Sequence, residues 1–314
     1  MNNSGGAHLI TLGTAAGPAI RSAESGIASA VVVDGAAYLV DFGLGITRRL
    51  HEAGLQGKDV VAGFLTHLHS DHMVELPALL LWNWGRQVSG FVEPVRFFGP
   101  GADPAHPGTA GFRQFVERSL DAYSYDLRIR ELDEGRPPLR DLVEVAEITP
   151  PTGATEQDCE PFVIFEDSRV RVSAVLTPHP PVFPSYSFRF DTEYGSITFS
   201  GDTARSATLE RLAADTDILV HEAVNLDYFR VRGADPAFLQ HQELSHTSPA
   251  DAGRVAEAAR ARTLVLSHLA GVADDEYWVS EARSTYSGTI ARARSGDVFS
   301  LATESSAPQT SLAL

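Results

Sequence analysis

Four side chains that can bind metal, His67, His69, Asp71 and His72, crowd into the stretch Thr66-His67-Leu68-His69-Ser70-Asp71-His72. Imidazole mixed with carboxylate is a donor set that suits zinc, iron or manganese. The preceding run Val60-Val61-Ala62-Gly63-Phe64-Leu65 is short, apolar and β-rich, the pattern of a buried strand. The cluster therefore sits where a strand ends and the chain turns outward. His67 and His69, two apart, point the same way if the backbone stays extended. Asp71 and His72 follow across the turn and can face a second ion. A polar loop with chance histidines is the competing reading.

Other chemistry-bearing residues also lie just past apolar runs. His179 stands between prolines in Thr177-Pro178-His179-Pro180-Pro181, where a rigid backbone would hold it. Asp202 follows Ser196–Ser200 and Gly201. On these residues alone it is equally the N-cap of a helix over Ser206–Leu212. His221-Glu222 follow Asp217–Val220, His246 precedes a helix over Ala250–Ala259, and His268 ends the run Thr263–Ser267. Asp41 ends Tyr38–Val40. Its carboxylate can hold a ligand histidine by the other ring nitrogen or satisfy a local turn.

The run His67-x-His69-x-Asp71-His72 resembles the His-x-His-x-Asp-His signature of the metallo-β-lactamase superfamily, with every position filled. Leu12-Gly13-Thr14, Asp41-Phe42-Gly43-Leu44-Gly45 and Met73 to Leu81 narrow the resemblance to the ribonuclease Z-like branch, which includes phosphodiesterases and arylsulfatases acting on small molecules. It covers Leu9 to His268. The resemblance implies an α/β fold, an αββα sandwich of two packed sheets with helices outside. It also implies two divalent metal ions, zinc by default, with manganese or iron as alternatives. One ion would be held by His67, His69 and His179 and the other by Asp71, His72 and His268, with Asp202 between and Asp41 behind a ligand histidine. By the same resemblance a bridging hydroxide is the nucleophile, Asp71 orients it or takes its proton, and His246, aligned by Glu222, protonates the departing oxygen. The flavin-partnered branch typically replaces one motif ligand with Glu, whereas His69 is retained here.

The elements that must position these residues follow from pattern. His8–Leu12 reads as a first strand, and Ala30–Val33 with Tyr38–Val40 as a hairpin over Asp34-Gly35. Gly45–Ala53, Leu76–Trp84 and Thr109–Tyr123 read as helices. Residues 127–133 and 142–148 read as strands, Phe162–Phe165 and Val170–Leu176 as a hairpin, and Asp274–Arg294 as helical. One domain is expected over residues 1–302, with a frayed tail over 303–314. With 314 residues and 43% hydrophobic content, the chain can bury a large core. Cys159 is the single cysteine, so no intrachain disulfide forms, and in its Pro- and Glu-rich loop it reads as incidental. No apolar run reaches membrane-spanning length and no leader pattern stands out, which points to a cytoplasmic protein without membrane association.

Substrate signals are weaker. The formal charge is −16, from 25 Lys+Arg and 41 Asp+Glu, which disfavours a nucleic-acid partner. Ribonuclease Z carries a substrate arm between the third-ligand histidine and the bridging aspartate. Here only residues 180–201 lie between His179 and Asp202, room for a hairpin alone. The expectation is a small-molecule substrate, a phosphodiester or aryl sulfate. Trp82, Trp84, Phe183, Tyr186 and Trp278 are candidates for an aryl-lined pocket, although Trp82 and Trp84 are as readily core or homodimer interface. His106, in a Pro- and Gly-rich loop, reads as solvated, with a substrate-facing position as the alternative. Hydrolytic dehalogenation, lactone or thioester hydrolysis, transfer-RNA 3′ processing and a non-catalytic metal-binding regulator are the competing functions.

Overall fold

The computed structural model describes residues 5–301, so the tail expected to fray lies outside the described residues. Apolar stretches punctuated by Gly, Asp and Pro turns give two seven-stranded sheets. The first holds β1 (Ala7–Gly13), β2 (Ala28–Val33), β3 (Ala36–Val40), β4 (Val60–Phe64), β5 (Val95–Pro100) and β6 (Val143–Ile148). The second holds β7 (Phe162–Glu166), β8 (Val170–Leu176), β9 (Tyr186–Thr192), β10 (Gly195–Phe199), β11 (Ile218–Val224), β12 (Thr263–Ala270) and β13 (Thr289–Arg292). The last strand, β14 (Asp297–Leu301), returns to the first sheet and pairs antiparallel with β1. In each sheet three antiparallel pairings are followed by three parallel ones. The β2–β3 turn takes the expected form: Asp34 (φ 50°) and Gly35 (φ 83°) both have the positive φ of a two-residue hairpin loop.

Central strands are apolar on both faces because both faces are covered. Leu9, Val31, Tyr38 and Phe64 meet Val172, Phe188, Phe190 and Val220 between the sheets. Ile10, Val32, Leu39 and Phe97 pack outward on helices Ile46–Glu52, Leu76–Trp82 and Phe112–Ala122. Leu219, Leu264 and Leu266 pack on helices Ala207–Leu212, Pro249–Ala258 and Asp275–Arg283. The result is the expected αββα order. Among the described residues no helix is long and apolar enough to cross a membrane.

Two expectations need correction. Residues 127–133 are helical, within Ser124–Asp133. Leu127 and Ile129, alternating with Arg128 and Arg130, mimic strand alternation, but Arg130 pairs with Asp126 and with Glu134, each at 2.9 Å and four residues away, and only Leu127 is buried. The helix expected to reach Arg294 stops at Arg283, and the chain turns at Ser284-Thr285 before adding β13 beside β12. Helices Leu226–Arg230 and Pro236–Ser245 were not anticipated.

Phe64 ties the sheets together through rings of Phe98, Phe165, Phe188 and Phe190 at centroid distances of 5.2–5.9 Å. Phe64→Ala is expected to lower stability by about 3–5 kcal/mol in chemical denaturation. A loss under ~1 kcal/mol would contradict this packing.

Candidate metal centre

Strands β3, β4, β10, β11 and β12 deliver Asp41, His67, Asp202, Glu222 and His268 at or just past their C-terminal ends, and β8 delivers His179. Ligand sites lie outside the carboxyl ends of parallel strands because the loops there diverge. After β4 the backbone stays extended to His69 (φ −70°, ψ 145°), then forms a short helix, Ser70–Met73, that carries Asp71 and His72. Gly201 sits in the left-handed region (φ 58°), where a Cβ would meet the Tyr186 carbonyl at 2.7 Å; this tight turn presents Asp202. His268 is the extra residue of a bulge, because Glu222 pairs with Ser267 but Ala223 pairs with Leu269. It also has positive φ (43°). The bulge re-aims a side chain that regular pairing would send elsewhere.

The seven expected ligands come together in two groups. His67, His69, His179 and Asp202 form one, and Asp71, His72 and His268 the other; in each, the donor atoms lie within 4.8 Å of one another. Asp202 borders both, with Oδ2 3.9 Å from His67 Nε2 and 3.4 Å from His72 Nε2, and Oδ1 3.3 Å from His268 Nδ1. Asp202 Oδ1 and His268 Nδ1 are buried without a hydrogen-bond partner. His67 Nε2 and His69 Nδ1 stand 2.9 Å apart. Buried polar atoms are normally partnered, so convergent, unsatisfied N and O donors fit divalent cations.

Electrostatics divide the histidines: burial opposes the charge on His72, but Asp202, Asp41 and Asp71 hold it well above its ordinary pKa, whereas His67 and His179 go the other way. Burial holds His67 well below its ordinary pKa and takes His179 down to about 3, leaving neutral imidazoles, the ligating form. Burial also opposes the Asp202 charge, yet His268, His72 and His67 hold its carboxyl well below the usual carboxylate range.

The surrounding residues fix the ligand rings. Asp41, itself at positive φ (61°), places Oδ2 2.8 Å from His72 Nδ1, while its Oδ1 accepts from the Thr66 amide and hydroxyl. Of the two readings for Asp41, the ring-holding one is the geometry observed. His179 Nδ1 lies 2.9 Å from the Ser245 carbonyl, which directs Nε2 inward. Thr66 and Ser245 escaped the sequence reading because one works by hydroxyl and amide and the other by carbonyl. Asp202 is not a helix cap; Ser206 fills that place.

Beside the cluster, His246 Nδ1 lies 2.9 and 3.0 Å from the two Glu222 oxygens, and Glu222 Oε1 also accepts from the Thr203 amide. Burial would depress the His246 imidazole, but the Glu222 charge and hydrogen bond lift it to about 9. A cleft of about 720 Å³ opens over Asp71, Asp202, His246 and His268.

The nominated aromatic residues do not line it. Trp84 is fully buried and donates Nε1 to the Pro137 carbonyl at 2.8 Å. Tyr186 is buried between the sheets with its hydroxyl on the Ile148 carbonyl, and Phe183 packs on the same core. Trp278, on the buried face of helix Asp275–Arg283, packs into the core, and Trp82 is 74% exposed on another surface. His106 is exposed and bound to Asp103. Large apolar rings go to the core first. The cleft is lined instead by Tyr228, Phe229 and Phe238 from the two unanticipated helices. Asp235-Pro236, a cap residue followed by proline, was the available signal for the second of these.

A profile of the metallo-beta-lactamase superfamily matches residues 24–268. The chain belongs to that superfamily. Its relatives include ribonuclease Z of Mycobacterium sp. (strain KMS), 31% identical over 261 residues that cover 82% of this chain and 83% of the relative. Ribonuclease Z of Mycobacterium bovis (strain BCG / Pasteur 1173P2) is 29% identical over 262 residues, covering 81% and 84%. Human tRNase Z, short form, shares the fold, with a TM-score of 0.66 at 22% identity, 94% of this chain and 100% of that one. This superfamily member is accordingly a metal-dependent hydrolase.

Asp41→Asn keeps the volume behind His72 but removes the charge. Calorimetric zinc titration of the stripped protein is expected to show affinity at one of two sites falling ten- to a hundredfold. Unchanged affinity at both sites would contradict the role given to Asp41.

Proposed function

We propose that the chain is a dinuclear phosphodiesterase acting on a small ester that carries an apolar group. The observation that carries this reading is the cleft itself: ligand histidines and carboxylates at its floor, the Glu222–His246 pair beside them, and an apolar wall of Ile20, Tyr228, Phe229, Phe238 and Val272. Aromatic faces suit a planar or apolar substituent. The ions are read as zinc, with manganese or iron as alternatives. Two cations so held would lower the pKa of a bound water to ~7 and polarise the substrate oxygen. Asp71, whose Oδ2 accepts from the Gly17 amide at 2.9 Å, is placed to orient the attacking water. Glu222 engages His246 Nδ1, so Nε2 is the atom free to hand a proton to the departing oxygen.

A second reading, transfer-RNA 3′ processing, is favoured by the mycobacterial relatives, which are ribonuclease Z enzymes. Against it stand the charge of −16 and the segment between His179 and Asp202, which holds only a turn and the β9–β10 hairpin and no projecting arm.

Turnover of bis-nitrophenyl phosphate, nitrophenyl sulfate, nitrophenyl acetate, an activated chloroaromatic and a transfer-RNA precursor would test both. Chelator-sensitive turnover of the phosphodiester is expected, with His246→Ala losing about 10²–10⁴-fold. Cleavage of the precursor RNA without turnover of any small ester would overturn the small-substrate reading in favour of the second. The chloroaromatic alone turning over would remove the need for a leaving-group acid.

A further inference from the structure

The loop after β1 is tied to both ends of the metal centre. Gly17 donates its amide to Asp71 Oδ2, and the amide of Leu269, next after His268, donates to the Thr14 carbonyl at 3.0 Å. The loop carries Arg21, the one Lys or Arg among the described residues lining the cleft. Its Nη1 donates to the Gly271 carbonyl at 3.0 Å, which anchors the guanidinium without neutralising it.

Nearby charges do not complete it. Glu24 is already engaged: Arg292 reaches one of its oxygens at 3.1 Å, while the Thr14 hydroxyl and the Ser295 amide and hydroxyl occupy the other. Arg21 forms no ion pair among the described residues. Within the protein it uses one of its five donors, and the side chain is half-buried in the wall of the cleft, where burial lowers its pKa. A guanidinium of this kind presents a planar fork that matches a carboxylate or phosphate. The ester to be cut must lie among the metal ligands, whose cations would offset its charge. Arg21 is held on the Gly271 carbonyl and touches none of those ligands.

We propose that Arg21 is the anion-recognising residue of the cleft, and that the substrate carries an oxyanion, a carboxylate or a phosphate, apart from the ester that is cleaved. This rests on the phosphodiesterase reading above and names its substrate class more closely.

The test uses zinc-loaded protein and nitrophenyl phosphodiesters whose second alcohol ends in a carboxylate, a phosphate monoester or choline, with bis-nitrophenyl phosphate as the reference. Wild type is expected to favour at least one anionic ester over the choline ester by tenfold or more in kcat/KM, and the better anion identifies the source. Arg21→Gln should lose that preference through KM, Arg21→Lys should keep part of it, and turnover of bis-nitrophenyl phosphate should stay within about threefold. Equal losses on all four esters, or an undiminished anion preference in Arg21→Gln, would overturn the proposal. Calorimetric binding of phthalate separates the two readings. If no diester is turned over but Arg21→Gln still weakens phthalate about tenfold or more, the phosphodiesterase reading falls and the anion site stands. Unchanged phthalate binding overturns the anion site whatever the turnover.

Discussion

The rest of this molecule depends on one buried carboxylate. Asp202 is 2% exposed, and its two oxygens face His67, His72 and His268. An isolated carboxylate in such a place would simply take up a proton. The imidazoles that keep it ionised are themselves buried, and burial drives His67 and His179 neutral. Cations resolve this conflict, because neutral imidazoles and ionised carboxylates are both ligand forms. The strand ends, the bulge and the Asp41 network are the devices that hold such an arrangement in a solid framework.

Two of those devices are backbone positions that ordinary side chains avoid. Asp41 and His268 both have positive φ, which disfavours any residue with a Cβ by a kcal/mol or more. Asp41 follows β3, in the middle of the first sheet, and His268 lies in the bulge of β12, which pairs with β11 on one side and β13 on the other, so neighbours on each side over-determine the path. Asp41 makes use of its position by reaching Thr66 and His72 at once. His268 does so by turning towards Asp71, Asp202 and His72. The same β12 end is laced to the loop that carries Arg21, so the wall and the floor of the cleft share one support.

The candidate metal ligands, as a converging set of donors, were legible because each closes an apolar run or follows it within a few residues, and a strand that ends in His or Asp has few structural uses for it. His67, His69, Asp71 and His72 needed only local spacing. His179, Asp202 and His268 needed resemblance as well, since a lone His or Asp after a strand has ordinary roles. The wall of the cleft was not legible. Trp84, Tyr186 and Trp278 are as aromatic as Tyr228, Phe229 and Phe238, and hydropathy does not say which layer a ring enters. Residues 127–133 show the same limit, where apolar alternation imitated a strand and Arg130, paired to both sides, stabilised a helix. Strand β13 escapes a hydropathy reading because it is four residues long and buries none of them fully.

The most direct test is anomalous diffraction from crystals of the zinc-reconstituted protein. The account predicts two peaks, one among His67, His69 and His179, the other among Asp71, His72 and His268, with Asp202 reaching both. A single peak, or zinc bound elsewhere with these side chains hydrogen-bonded to one another, would contradict it.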